Sequence, residues 1–235
     1  MNNQAFIIVD AERCFYPSSE AERLDTGGFG ALGVEGAQAV TPLLNDMTTA
    51  ARQAKIEIVH TLDKHPAQTA HFSDTPNYVN TWPVHGVEGT EGSLLHPDLY
   101  IATHPLSSTE FIKGDVVATS PEDDSSYTGA NAHQRGSTEV LPDYLKRRGV
   151  TAIIIGGLAI GDGKEFPLCV DSTAIDFKNL GFDVTLLTDA TEAVLPQNRE
   201  LCFKNLGELG VRLATTAQVL AELETLYGGT CHGNA

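Results

Sequence analysis

Basic residues are scarce. Lysine and arginine together number 15 against 31 acids, a formal net charge of −16. Such a surface repels phosphate backbones and anionic lipid, so neither nucleic acid nor a membrane is an expected partner. Cysteine is also sparse, with four in 235 residues and no C-x-x-C pair. That excludes a disulfide scaffold and leaves Cys14, Cys169, Cys202 and Cys231 as free thiols. No apolar run approaches a membrane span, and the first residues, MNNQAFIIVDAE, lack the basic region of a secretory leader. A cytoplasmic protein is the expectation. There is no repeat, low-complexity tract or linker, and apolar content is ordinary at 41%. The acids are dispersed, so disorder is not indicated. The length suits one domain over 1–235, with a frayed tail at 228–235.

What is present is an alternation of short apolar runs with helical patterns. Strands are predicted at Ala5 to Val9, Ile56 to Leu62, Thr109 to Ile112, Thr151 to Ile155, Phe182 to Leu187 and Val211 to Ala214. Helices are predicted at 36–54, 138–148, 170–180, 197–208 and 215–226, and a Gly-rich loop covers 25–33. This order predicts a three-layer α/β/α fold around a mostly parallel sheet. Residues 64–107 carry no long periodic stretch but hold five histidines. Loops of that length in a compact domain are usually functional.

Ligands bind outside the carboxyl ends of the strands in such a sheet. Asp10 follows the first strand, Asp63 and His65 the second, and Lys113 the third. Cys169 opens the helix after the fourth. A helix N-terminus and a nearby cation both favour a thiolate. Asp10 is placed to take the thiol proton and return it to a leaving group, provided burial raises its pKa. The plainer alternatives remain open: a Cys in an apolar stretch as core filler, an Asp as a turn former, a Lys in solvent. Cys14 and Cys202 keep the filler reading. Cys231, with His232, offers at most adventitious metal binding.

Asp63 and His65 are two apart, so in extended chain they face the same way. His71 joins them if the chain curls back at Pro66, and His85 is the fourth candidate. Three imidazoles and a carboxylate suit zinc, with iron and manganese as alternatives. The opposing reading is a solvated loop rich in His, as is expected for His60, His104 and His133.

Taken together the motifs resemble the isochorismatase-like cysteine hydrolases, and among them the nicotinamidases/pyrazinamidases. IIVDAERCF carries Asp10 and Phe15. DKHP with a further His supplies Asp63, His65 and His71. TWPVHGVEGT supplies Trp82 and His85, with Gly86 where the family usually has Cys. Lys113-Gly114 and CVDSTAID, opening at Cys169, complete the set. The resemblance spans nearly the whole chain. It implies an amidohydrolase converting nicotinamide to nicotinate and ammonia through a cysteine thioester, with Asp10, Lys113 and Cys169 catalytic. It implies one divalent metal, a small-molecule substrate and, at most, further copies of the chain as partners. Phe15 and Trp82 would sandwich the substrate, Tyr127 would close the pocket, and Ala159 and Ile160 would line it. A related hydrolase of another small amide or ureido compound is one alternative, and a metal-binding relative without catalysis is another. One departure stands out. Cys169 lies ten positions after Ala159 where the family pattern has four, an insertion of six. The family builds part of its oxyanion hole with a non-proline cis peptide just after that Ala. The expectation is therefore a cis bond at Ala159–Ile160, or a hole rebuilt near Phe166–Pro167.

Overall fold

A computed structural model describes residues 3–18, 28–123 and 125–227. The expected tail at 228–235, with Cys231 and His232, and the first part of the Gly-rich loop lie outside them. Six strands form one sheet: β1 Gln4–Val9, β2 Glu57–Asp63, β3 Thr109–Lys113, β4 Ala152–Ile160, β5 Asp183–Ala193 and β6 Arg212–Ala214. Their order is β3-β2-β1-β4-β5-β6, and every pairing is parallel. The five longer helices are α1 Ala37–Gln53, α2 Leu141–Arg147, α3 Cys169–Asn179, α4 Arg199–Glu208 and α5 Thr216–Tyr227.

Strand alternation distributes β1 between two cores. Ala5, Ile7 and Val9 pack with α2, α3 and α4, while Phe6 and Ile8 pack with α1 and α5. The apolar positions of α1 recur at helical spacing (Val40, Leu44, Met47, Ala51), so one face of that helix closes the second core. The result is the three-layer α/β/α arrangement expected from the sequence. No helix among the described residues is long and apolar enough to cross a membrane.

Two strands run further than the apolar runs announce. The prediction ended the fourth strand at Ile155, just before Gly156 and Gly157. In the structure β4 continues to Ile160. Gly157 has φ of 127°, and a Cβ there would lie 2.0 Å from the carbonyl oxygen of Val9. The glycine therefore lets β4 press against the end of β1, next to Asp10. The fifth strand likewise extends to Ala193, where register shifts keep it paired with β4. Gly157→Ala should destabilise the fold by about 4 kcal/mol, summing backbone strain and overpacking. Chemical denaturation would show it. An unchanged midpoint would mean that this close approach is not needed.

His60 corrects an expectation. It is buried rather than exposed, because β2 lies between β1 and β3 and sets it beside Ile8 and Glu110. Its Nδ1 is 3.0 Å from Ser108 Oγ. His104 is exposed and His133 partly so, paired with Asp115.

Candidate active site

The strand order reverses between β1 and β4, and an open parallel sheet leaves a crevice at such a point. Asp10 ends β1 on one side of it. Cys169 begins the helix after β4 on the other. Lys113 ends β3 and reaches across. Its ammonium is 2.8 Å from Asp10 Oδ2, 3.3 Å from Asp63 Oδ1 and 3.5 Å from Cys169 Sγ, and it donates to the Ser126 carbonyl oxygen at 2.9 Å. One oxygen each of Asp10 and Asp63 and the sulfur of Cys169 all lie within 4.8 Å of one another. All four side chains are buried, so the solvated-lysine reading does not describe Lys113.

Burial sets the proton energetics. Desolvation raises the pKa of Asp10, against the pull of Lys113. Desolvation also pushes the Cys169 thiol well above its ordinary value; Lys113 pulls it down, and Asp10 and Asp63 push it further up. This corrects the expectation of a thiolate favoured outright by helix and lysine, because removing a sulfur anion from water outweighs one nearby cation. Asp63 is held well below the ordinary carboxylate range: burial opposes this, but His65 and Lys113 outweigh it. Burial alone would discharge Lys113, yet Asp10 and Asp63 hold its ammonium well above the usual lysine value. The cation is thus held by Asp10 and Asp63 together, while burial raises the proton affinity of both Asp10 and Cys169.

The sequence reading missed two supports. Thr61 donates to Asp10 Oδ1 at 2.6 Å, and Glu12, fully buried, accepts the backbone N–H of Asp63 at 2.8 Å. Period-two spacing was the available signal: Thr61 is two before Asp63 and Glu12 two after Asp10.

Beside this cluster lie the metal candidates. Asp63 Oδ2 is 3.0 Å from His65 Nε2 and 3.8 Å from His85 Nε2. His85 donates from Nδ1 to the Pro83 carbonyl oxygen at 2.8 Å, which leaves Nε2 as a bare lone pair. Burial lowers its pKa, keeping the ring neutral. A lone pair turned toward a carboxylate oxygen is two acceptors facing each other, an arrangement that a cation between them relieves. Asp63, His65 and His85 form one tight group, and His71 does not reach it. Yet His71 lines the same cavity, and its buried Nε2 has no hydrogen-bond partner. The donor set therefore fits a divalent metal with three close ligands and a fourth nearby. Gly86 belongs to the same design: with φ of 55°, it would place a Cβ 2.6 Å from the Asp63 carbonyl oxygen, and its own oxygen accepts the His65 N–H.

The cavity over these groups measures about 430 Å³ when the open space at its mouth is included. Phe15, Trp82, Tyr127, Ala159 and Cys169 all line it. Trp82 donates its indole N–H to Tyr127 Oη at 2.8 Å, and Tyr127 stacks on His71. Leu32, Leu168 and Val194 also line it and had no sequence signal. Ile160 does not join them. Consecutive strand residues face opposite ways, so it turns from Ala159 toward the other core and a neighbouring cavity. The cis peptide is Leu158–Ala159, one bond before the position expected, and not at Phe166–Pro167. Ala159–Ile160 lies within the last paired residues of β4.

The inserted residues form a closed strap. Asp171, fully buried, accepts N–H groups from Gly161, Gly163 and Leu168 at 3.1, 2.8 and 2.7 Å. Its pKa is raised to about 7 by burial, against those bonds. Cys202 adds a thiol 3.7 Å away, and it and Cys14 are buried core residues.

Comparison with known proteins follows the same lines. The isochorismatase domain pattern matches residues 4–218. The nicotinamidase/pyrazinamidase of Mycobacterium tuberculosis is 31% identical over 194 residues, 81% of this chain and 87% of its own. Among solved structures, the pyrazinamidase of Pyrococcus horikoshii in complex with zinc superposes with a TM-score of 0.67. It is 26% identical and covers 91% of this chain and 99% of its own. A protein from L. infantum in complex with nicotinate has a TM-score of 0.66 at 26% identity, covering 92% and 93%.

Proposed function

The chain belongs to the isochorismatase family, and from that premise we propose that it is a nicotinamidase, hydrolysing the carboxamide of nicotinamide to nicotinate and ammonia. The observation that carries this reading is the single ammonium of Lys113 held between Asp10, Asp63 and Cys169, with Asp63 also facing His65 and His85. The relatives' names and the nicotinate and zinc in neighbouring structures support the same substrate class.

Asp10 takes the proton of Cys169, and the thiolate attacks the carboxamide carbon. Negative charge moves to the carbonyl oxygen, where first-turn amides of α3 have no intrahelical partner and can receive it. The N–H of Cys169 is the first of them. Asp10 then passes its proton to the amide nitrogen, the C–N bond breaks and ammonia leaves, giving a thioester. Asp10 next deprotonates a water that attacks the thioester. The acid is released as the C–S bond breaks, and the proton returns from Asp10 to the sulfur. Lys113 stays positive throughout and offsets whichever of Asp10 and Cys169 is anionic. Asp63, His65 and His85, with His71 nearby, would hold a divalent metal. When bound it supplies a Lewis-acid site for the pyridine nitrogen and for ordered water. Phe15 and Trp82 flank the ring.

Ammonia release from nicotinamide and pyrazinamide, with acetamide and an N-carbamoyl amino acid as controls, tests the reading. Turnover confined to the controls would replace it with the related amide or ureido hydrolase. The same assay across pH has an expected sign. Asp10 acts only when ionised, and burial raises its pKa. Hence kcat/KM should fall as pH drops through a value above the ordinary carboxylate range. An acid limb at the ordinary value would remove Asp10 from the role of base.

A further inference from the structure

A second cavity adjoins the first and shares three of its walls, Trp82, Leu168 and Val194. It measures about 380 Å³ with its mouth. The inserted strap lines it through Gly161, Phe166 and Leu168, together with Ile160, Tyr78, Val79 and Leu195. Its polar side-chain groups are those of Asn198, the tyrosine hydroxyl and the Trp82 indole N–H.

The rim is unusually apolar for solvent-facing structure. Tyr78 is 47% exposed, Val79 41%, Phe166 57% and Leu195 40%. These four come from three separate stretches of chain, yet they meet around one opening. Scattered exposed apolar residues need no explanation, but a convergent group beside a catalytic pocket does. The strap that supplies Phe166 is also no loose excursion. Asp162 Oδ1 accepts N–H groups from Lys164 and Phe166, at 2.9 and 2.8 Å, and Asn205 donates to the Asp162 carbonyl oxygen at 2.8 Å. With Asp171 anchoring Gly161, Gly163 and Leu168, both ends and the middle of the strap are fixed. The apolar wall is therefore preformed.

We infer that this second cavity is a subsite for an apolar substituent on the substrate ring, so that the enzyme takes alkyl-substituted aromatic carboxamides in preference to the bare ring. The occupant follows from continuity. The two cavities share Trp82, Leu168 and Val194 as walls, so a ring at Trp82 has the second, largely apolar cavity directly beside it. The lining offers no ammonium, guanidinium or carboxylate to receive a charged arm. This inference rests on the nicotinamidase reading for its ring, but its test separates the two.

The test measures affinity of the metal-loaded Cys169→Ala protein for nicotinamide and its 5- and 6-alkyl derivatives, methyl to butyl, by calorimetry. Turnover of the same compounds is followed with the unaltered enzyme and with Phe166→Asp. One series should bind tighter as the chain lengthens, by about tenfold at propyl. Phe166→Asp should erase that gain while changing KM for nicotinamide less than about twofold, because Phe166 does not line the first cavity. Leu195→Asp repeats the test should Phe166→Asp fail to fold. Affinity that falls with chain length in both series overturns the subsite, and so does a gain that survives both aspartate variants. Rising affinity with no turnover of any nicotinamide keeps the subsite and overturns the parent reading.

Discussion

Cys169→Ala abolishes ammonia release, lowering kcat by on the order of 10⁴- to 10⁶-fold, the loss seen when a nucleophile is removed from a concerted catalytic group. The protein stays folded. Alanine removes one sulfur from a side chain that sits beside the cavity, and the helix it opens keeps its Asp171 contacts to Gly161, Gly163 and Leu168. Circular dichroism and the thermal midpoint check the fold while the assay checks chemistry. Asp10→Asn and Lys113→Met should each come within about tenfold of the same loss, and the double variants should add little, since groups that act as one unit are not additive. Lys113→Met carries a second cost. It leaves Asp10 and Asp63 buried as two acids without their shared cation, and breaking a buried ion pair in this way costs about 3–5 kcal/mol. Its stability must therefore be measured beside its activity. Normal turnover by a folded Cys169→Ala protein would end the thioester mechanism and leave the metal as the seat of any hydrolysis.

The sequence made much of this geometry legible, and for a physical reason. In a parallel sheet the strand ends are marked by where an apolar run stops, so Asp10, Asp63 and Lys113 could be placed on one edge before any coordinates. Cys169 could be placed by the helix it opens. Motif spacing then supplied the family and four metal candidates. Failures came where local pattern and tertiary context disagree. The predicted fourth strand stopped short of two glycines, but a backbone approach to Val9 requires one of them inside the strand. His60 was expected to be exposed although it lies within the predicted second strand, because its polarity says nothing about its two neighbouring strands. Ile160 was assigned to the pocket together with Ala159 on the family resemblance, and strand alternation sends the two to opposite faces. Proton energetics were also out of reach. Charge and helix position were readable, whereas the desolvation of Cys169 depends on everything packed around it.

Removing the metal candidates should have the other large effect, and it is readable without an assay. The protein as purified should carry one divalent ion per chain by elemental analysis. Asp63→Asn should lower that content at least tenfold, because Asp63 is the anion of the set and faces both His65 and His85. His85→Ala should act similarly. His71→Ala should act less, since His71 stands outside the tight group, although it lines the shared cavity with an unpartnered Nε2. Binding to the folded state alone also raises stability. A free metal concentration a hundredfold above Kd contributes about 2.7 kcal/mol, so a chelator should lower the thermal midpoint of the unaltered protein by several degrees. Asp63→Asn should be insensitive to chelator. That variant has a second consequence, because Asp63 also balances Lys113 at 3.3 Å. With the anion gone, Lys113 pulls harder on Asp10 alone. The acid limb of any residual activity should then move to lower pH, both because a repelling charge is lost and because the cation is less shared. A metal content unchanged by Asp63→Asn and by His85→Ala would place the ion elsewhere and return the histidines to the role of polar pocket lining.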